Sequence, residues 1–269
     1  MIRVLFVGDI VGRPGRRSVA KCLPEIVAAH AVDLVIANAE NASGGMGATP
    51  EVLKELAGYG VQGFTMGNHV WRQESLIPAL SALPCVVRPA NYPEGAPGRG
   101  AMALETGSGV MVGVLNLQGR VFMDPLDCPF AQADRELARL RKEARVILVD
   151  FHAEATSEKV ALGWYLDGRC TAVLGTHTHV QTADEWIMPQ GTAFISDVGM
   201  CGPYHSVIGV ECSRVIGKFL TGMPRRFDVA KGPTLFSAVL VEADEGSGRA
   251  VSITRLMRRE PESGRTAAN

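Results

Sequence analysis

Five short polar clusters each follow directly on a run of β-prone apolar residues, and that placement constrains this chain more than any other feature. The clusters are Gly8-Asp9, Asn38-Ala39-Glu40-Asn41, Gly67-Asn68-His69, Phe151-His152 and Gly175-Thr176-His177-Thr178-His179. The runs before them are Val4 to Val7, Leu34 to Ala37, Val61 to Met66, Val146 to Val149 and Thr171 to Leu174. All but the third have the Val, Ile and Leu content of strands buried on both faces of a parallel sheet. In an open α/β sheet, ligands bind in the crevice beyond the carboxyl ends of such strands. Folding would therefore gather two carboxylates, two or three amides and up to four imidazoles at one rim, from clusters scattered over about 170 positions. Such a set suits two metal ions.

The rest of the chain agrees with an α/β class. Strands at 2–8, 34–38 and 62–66 alternate with helices at about 16–30, 50–57 and 73–83, which predicts a parallel sheet with right-handed crossovers. Pro50 suits a first helical position and Thr49 suits the cap before it. The pattern then changes to a hairpin, 101–105 with 110–117, across Thr106-Gly107-Ser108-Gly109. Alternation returns with a helix at 131–145, a strand through Val149, a helix near 157–166 and a strand to Leu174. Short strands at 186–188 and 193–195, a helix at 210–220 and a hairpin of 234–241 with 250–256 complete a mixed sheet content. One domain, 1–258, is expected, with Arg259 to Asn269 as a polar, frayed tail.

Composition narrows the function classes. A formal net charge of −1, without a basic block, lacks the footprint of a nucleic-acid binder. No apolar run approaches the roughly 18 residues of a membrane span, and a strand beginning at Ile2 leaves no room for a signal segment, so a cytoplasmic protein is expected. The six cysteines are widely spaced with no CxxC, which fits buried reduced thiols better than a disulfide frame.

Each cluster also has a plainer explanation when taken alone. Asp9 could cap the following helix, Glu40 and Asn41 could form a turn, and His152 could be a satisfied core histidine. Gly67 permits a bend that presents Asn68 and His69 side by side. His177 and His179, at i and i+2 in an extended segment, would point the same way and reach different ions of a pair. Five strand ends, each with a ligand type, are hard to obtain in a fold that binds nothing. Oxygen and imidazole donors without thiolate favour Mn, Fe or Zn. Two divalent ions, offset by Asp9, Glu40 and a shared hydroxide, would leave a small positive charge suited to an anionic phosphodiester. Arg13, Arg16 and Arg88 are weaker candidates for phosphate contact, His205 reads as an ordinary loop residue, and Trp71 and Tyr92 read as packing.

These residues resemble the calcineurin-like metallophosphoesterases, whose strand-end motifs run roughly GDxH, GDxxD, GNHE, H and GHxH. Val11, Glu40 and Val70 depart from that pattern, and the same departures mark one subgroup, the YmdB-like phosphodiesterases. Its signatures are matched by Gly8-Asp9-Ile10, Gly12 to Arg16, the Asn-Ala-Glu-Asn step, Gly67 to Trp71, Arg88 to Pro93, Asp150 to Lys159 and Gly175 to Asp184. The resemblance covers nearly the whole chain. It implies a four-layer α/β/β/α sandwich with mixed sheets and a dinuclear site. Asp9, Glu40, Asn41 and His179 would hold one ion, and Glu40, Asn68, His152 and His177 the other, with Asn41 standing in for the missing early histidine. It further implies hydrolysis of cyclic nucleotides, notably 2′,3′-cyclic species, with iron or manganese as the metals and zinc as a third option. The mechanism expected is attack by a hydroxide bridging the ions, with His69 as general acid. Competing readings are a phosphomonoesterase or RNA-cleaving nuclease on the same site, and a non-catalytic nucleotide-binding regulatory module. A small-molecule substrate, no stable nucleic-acid partner, no membrane and a homo-oligomer are expected.

Overall fold

The computed structural model describes residues 1–260. Period-two alternation along its strands sorts the apolar side chains into three cores. On β1 (Ile2–Val7), Ile2, Val4 and Phe6 join a core between two sheets, while Leu5 and Val7 join one beneath the helices α1 (Gly12–His30) and α2 (Pro50–Gly58). On β8 (Val146–His152), Val146 and Leu148 enter the intersheet core. Ile147, Val149 and Phe151 instead pack with Leu137 of α4 (Pro129–Leu140) and Leu162 of α5 (Thr156–Leu166). The layers are thus α/β/β/α, as the resemblance implied.

The first sheet runs β2 (Asp9–Ile10), β12 (Met200–Pro203), β13 (Thr234–Ala243), β1, β3 (Leu34–Asn38), β4 (Gly63–Thr65) and β5 (Val86–Val87), with β14 (Ala250–Arg259) also on β13. The second runs β10 (Trp186–Ile187), β11 (Ala193–Ile195), β9 (Ala172–Thr176), β8, β7 (Met111–Gln118) and β6 (Ala101–Glu105). Strand β1 is parallel to β3 but antiparallel to β13, whereas β7, β8, β9 and β11 are mutually parallel. The polar clusters therefore lie on two sheets: three follow β1, β3 and β4, and two follow β8 and β9. A single open sheet would not have brought them together; the sandwich does.

Several elements differ from the sequence expectation. Helix α1 starts at Gly12 rather than at 16, because Gly12 takes φ +57° and its N–H donates to Asn41 O, turning the glycine-rich stretch into the first helical turn. A Cβ on Gly15 would come within 2.2 Å of Cys201 O, so glycine lets α1 lie against β12. The expected helix at 73–83 shrinks to α3 (Leu76–Ala79) and a 3₁₀ turn, Leu80–Ala82, around Pro78, which has no N–H to donate. Thr49 caps α2 as expected, its hydroxyl accepting from Val52 N at 3.3 Å. Strands β2, β5 and β12 are too short to leave a periodic signal. Arg259 pairs with Leu235 and Glu260 N donates to Thr234 O, while 261–269 of the expected tail lie outside the described residues. No described helix is long and apolar enough to cross a membrane.

Candidate metal centre

The seven side chains expected as ligands, together with His69, converge on the rim where the two sheets meet. Glu40 is at the centre and 1% exposed. Its Oε2 lies 3.1 Å from His152 Nε2 and accepts from His69 N at 3.2 Å. Its Oε1 accepts from Asn41 Nδ2 at 3.0 Å. The same Asn41 nitrogen is 3.2 Å from His179 Nε2, and Asn41 Oδ1 is 2.7 Å from His69 Nδ1. The two oxygens of one buried carboxylate thus face two separate donor groups, one around His152 and one around Asn41 and His179.

Around His152 Nε2 three atoms crowd at nearly one distance: Asn68 Oδ1 at 3.0 Å, His177 Nδ1 at 3.0 Å and Glu40 Oε2 at 3.1 Å. One N–H cannot serve three acceptors, whereas one cation can. The donor atoms of Glu40, His152 and His177 lie within 4.8 Å of one another. Asp9, fully buried, accepts from His177 N through Oδ2, while among the described residues its Oδ1 has no hydrogen-bond partner and sits 3.8 Å from His179 Nε2. An orphaned buried carboxylate oxygen is costly unless a cation takes it. A Cβ on Gly67 would fall 2.1 Å from Glu40 Oε2 and 2.3 Å from His152 Nε2, so the backbone leaves this space clear. Buried and half-buried oxygen, amide and imidazole donors with no thiolate fit a divalent cation.

Electrostatics agree. Asp9 is pushed up to about 6, chiefly by burial. Burial also opposes charge on Glu40, yet His152 and His69 outweigh it and hold the carboxyl well below its usual range. Burial disfavours the His152 imidazolium, but Glu40 and Asp9 prevail and raise it to about 9. His177, buried beside that charge, falls to about 3. The buried carboxylates demand positive charge, which protons and metal ions compete to supply.

Supporting residues to which the sequence reading gave no role hold these groups. Nδ1 of His152 is 2.9 Å from Thr176 Oγ1, which donates to Asp150 Oδ1 at 2.7 Å. Its one hydrogen spent on Asp150, the hydroxyl can only accept in its bond with His152, which fixes that ring's proton on Nδ1 and turns the Nε2 lone pair toward the rim. The other Asp150 oxygen accepts from Asn38 Nδ2 at 3.1 Å, and Asn38 Oδ1 accepts from Glu40 N at 3.1 Å. One fully buried carboxylate in the second sheet thus orients donors from both. Burial pushes Asp150 up, against the charge of His152 and the bonds from Thr176 and Asn38.

The double-histidine loop is not extended as expected. Strand β9 ends at Thr176, and His177 and His179 take φ +94° and +67°. Such left-handed conformations in non-glycine residues cost about 1–3 kcal/mol each and persist only under outside restraint. That restraint is Asp197, whose Oδ2 accepts from Thr178 N at 3.0 Å, from Thr178 Oγ1 at 2.6 Å and from buried Lys159 at 2.9 Å. The turn sends the rings to different places: His177 to His152 and Glu154, His179 to Asn41 and the Ile208 carbonyl. Lys159 stood within the Asp150 to Lys159 signature, but its partner is 38 positions away, so no local spacing revealed the pair.

The remaining candidates lie elsewhere or serve structure. Arg88 is 6% exposed and donates to the Pro89, Ala96 and Pro97 carbonyls, bracing its loop. Arg16 pairs with Glu55 at 3.0 Å and donates to Ala42 O. Trp71 and Tyr92 pack edge to face at 5.2 Å, and His205 is exposed.

The family model described as "YmdB-like protein" matches residues 5–256. The chain belongs to the YmdB-like family. It is 46% identical over 256 residues to the Bacillus subtilis 2′,3′-cyclic-nucleotide 2′-phosphodiesterase, covering 95% of this chain and 97% of that one. Among solved structures, a hypothetical protein from Thermus thermophilus superposes with a TM-score of 0.91 at 46% identity, covering 97% of this chain and 100% of that one. A novel phosphatase from Mycoplasma pneumoniae gives 0.91 at 33%, covering 97% and 95%. The fold and family expected from the sequence are borne out.

Proposed function

We propose that this YmdB-like chain is a dinuclear metal-dependent phosphodiesterase acting on cyclic nucleotides, with 2′,3′-cyclic species as the substrate class. The observation that carries the reading is the placement of the two Glu40 oxygens, each facing its own set of buried or half-buried donors. Asp9, Asn41 and His179 would hold one ion with Glu40; Asn68, His152 and His177 would hold the other. An amide flip exchanges the Asn41 oxygen and nitrogen, so either can face Glu40 and His179. Iron or manganese fits the mixed oxygen and imidazole donors, with zinc next. The bound pair supplies charge neutralisation for the phosphoryl group and an activated water near neutral pH.

The chain's own residues do the rest. His69 Nδ1 is engaged by Asn41, which leaves Nε2 to give a proton to the departing ribose oxygen. Asn41 orients that ring, and the Asp150–Thr176 pair keeps His152 in one tautomer. The name of the Bacillus subtilis relative supports the cyclic substrate, and six free thiols fit a reducing cytoplasm. Exposed Ile216, Phe219 and Leu220 on α6 (Cys212–Thr221) support a homo-oligomer.

Elemental analysis of the purified enzyme, paired with cyclic and linear phosphodiesters and a phosphomonoester, tests this reading. His69→Ala should keep both metals and lose turnover about 10²–10⁴-fold. Metal content that collapses in this variant would make His69 a ligand, and preference for linear RNA would make the enzyme a nuclease.

A further inference from the structure

We infer a second anion site, independent of the phosphodiesterase reading, on the face opposite the metal centre. It would take a compact anion carrying two or three phosphates. A cavity of about 650 Å³ is lined by Arg141, Lys142, Arg145, Arg169 and Arg249, with Glu143 the lining carboxylate. Arg169 is paired with Asp134. Among the described residues, the other four cations have no ion-pair partner. Such a concentration stands out in a chain of net charge −1.

The site is built rather than a chance cluster of surface arginines. Arg141 donates to the Arg169 carbonyl, and Arg145 donates to Gly246 O at 3.1 Å. Guanidinium groups fixed by neutral carbonyls keep their full charge for a ligand and lose little freedom on binding it. The walls come from both sheets and are pinned beneath the cavity. Fully buried Thr171 accepts from Ile147 N at 2.9 Å and donates to Gly248 O at 2.7 Å, locking the β13–β14 turn to the start of β8. A Cβ on Gly248, which has φ +73°, would come within 2.2 Å of Arg145 O, so glycine brings Arg145 and Arg249 to one cavity. The Arg249 stem lies over Gly191, where a Cβ would touch it at 3.2 Å.

Position and chemistry choose the ligand. Arg145 precedes β8 and His152 ends it, so 7 residues separate the two sites, about 20 Å at the usual strand rise; one small substrate cannot span them. Among the described residues the lining has no aromatic ring on which a base could stack, so recognition falls to the phosphates. Four loops frame this open pocket, which suits a compact polyphosphate better than an extended strand.

The test is calorimetric titration of the metal-loaded enzyme with inorganic triphosphate, presented with equimolar magnesium so that it does not strip the catalytic metals. Saturable binding that weakens as salt rises is expected, with at least a tenfold loss in Arg145→Gln/Arg249→Gln and no loss in Arg226→Gln, an exposed arginine outside the lining. Lys142→Gln, whose ammonium makes no hydrogen bond or ion pair among the described residues, should weaken binding with no cost to folding. Turnover without triphosphate should be unchanged in all of them. Absence of saturable binding at physiological salt, or binding undiminished in both the double variant and Lys142→Gln, overturns the site. Arginine-dependent binding of an RNA oligonucleotide without triphosphate binding overturns the ligand class.

Discussion

Replacing Thr176 with valine removes one hydroxyl from the link between His152 and Asp150 while nearly conserving volume. The bonds lost are those of 2.9 Å to His152 and 2.7 Å to Asp150, and all three residues are 0% exposed, so water cannot replace them. Leaving a buried donor unpaired costs about 1–3 kcal/mol and a charged acceptor more, so unfolding free energy should fall by about 2–5 kcal/mol. Without the hydroxyl, His152 is free to carry its proton on Nε2, where it competes with a cation. Loss of such an orienting partner typically weakens metal affinity 10–100-fold. Denaturation of the metal-free chain reads the first effect, and metal titration under native conditions reads the second. Thr176→Ser, which keeps the hydroxyl, should restore both. Valine that lowers stability but holds metal affinity within about threefold would refute the tautomer argument and leave Thr176 a packing residue.

Three further outcomes follow from the same geometry. Gly67→Ala should abolish metal uptake, because its methyl would occupy the space beside Glu40 Oε2 and His152 Nε2, whereas Gly107→Ala, which meets nothing within 4 Å, should not; elemental analysis reads both. Glu40→Ala should empty both metal positions and Asp9→Ala chiefly one, so equal stoichiometries in the two variants would remove the bridge. Burial works against an ionised Asp184, but hydrogen bonds from Ser196 and Thr182 outweigh it and hold its folded value below the ordinary 3.8. Its contribution to stability is therefore present above that value and lost as pH falls through the folded one. Asp184→Asn should flatten this part of the acid limb in denaturation curves taken at successive pH values.

Much of the centre was legible because each donor stands at or just after the end of a β-prone run, strongly apolar in all but the Val61 to Met66 case, and strand ends project their next residues beyond the sheet. Asp9, Glu40, Asn68 and His152 needed no more than that. His177 and His179 were found for a partly wrong reason: period-two alternation assumes extended backbone, and this loop is left-handed at both residues. The Asp197–Lys159 pair that holds the loop joins residues 38 positions apart, and no local pattern encodes such a contact. Asp150 was hidden differently. Alone in an apolar strand, it has meaning only once Thr176 from β9 and Asn38 from the other sheet close on it.

The order of apolar runs and polar clusters was enough to determine the α/β class and the donor types at each strand end, since burial and strand geometry act locally, whereas the shared rim needed two sheets. Tertiary structure decided which oxygen of Glu40 faces which partners, which tautomer His152 adopts, and that four loops far from the rim bring unpaired cations around one pocket. Each of these depends on distances between residues remote in the chain, and only packing two sheets face to face sets such distances.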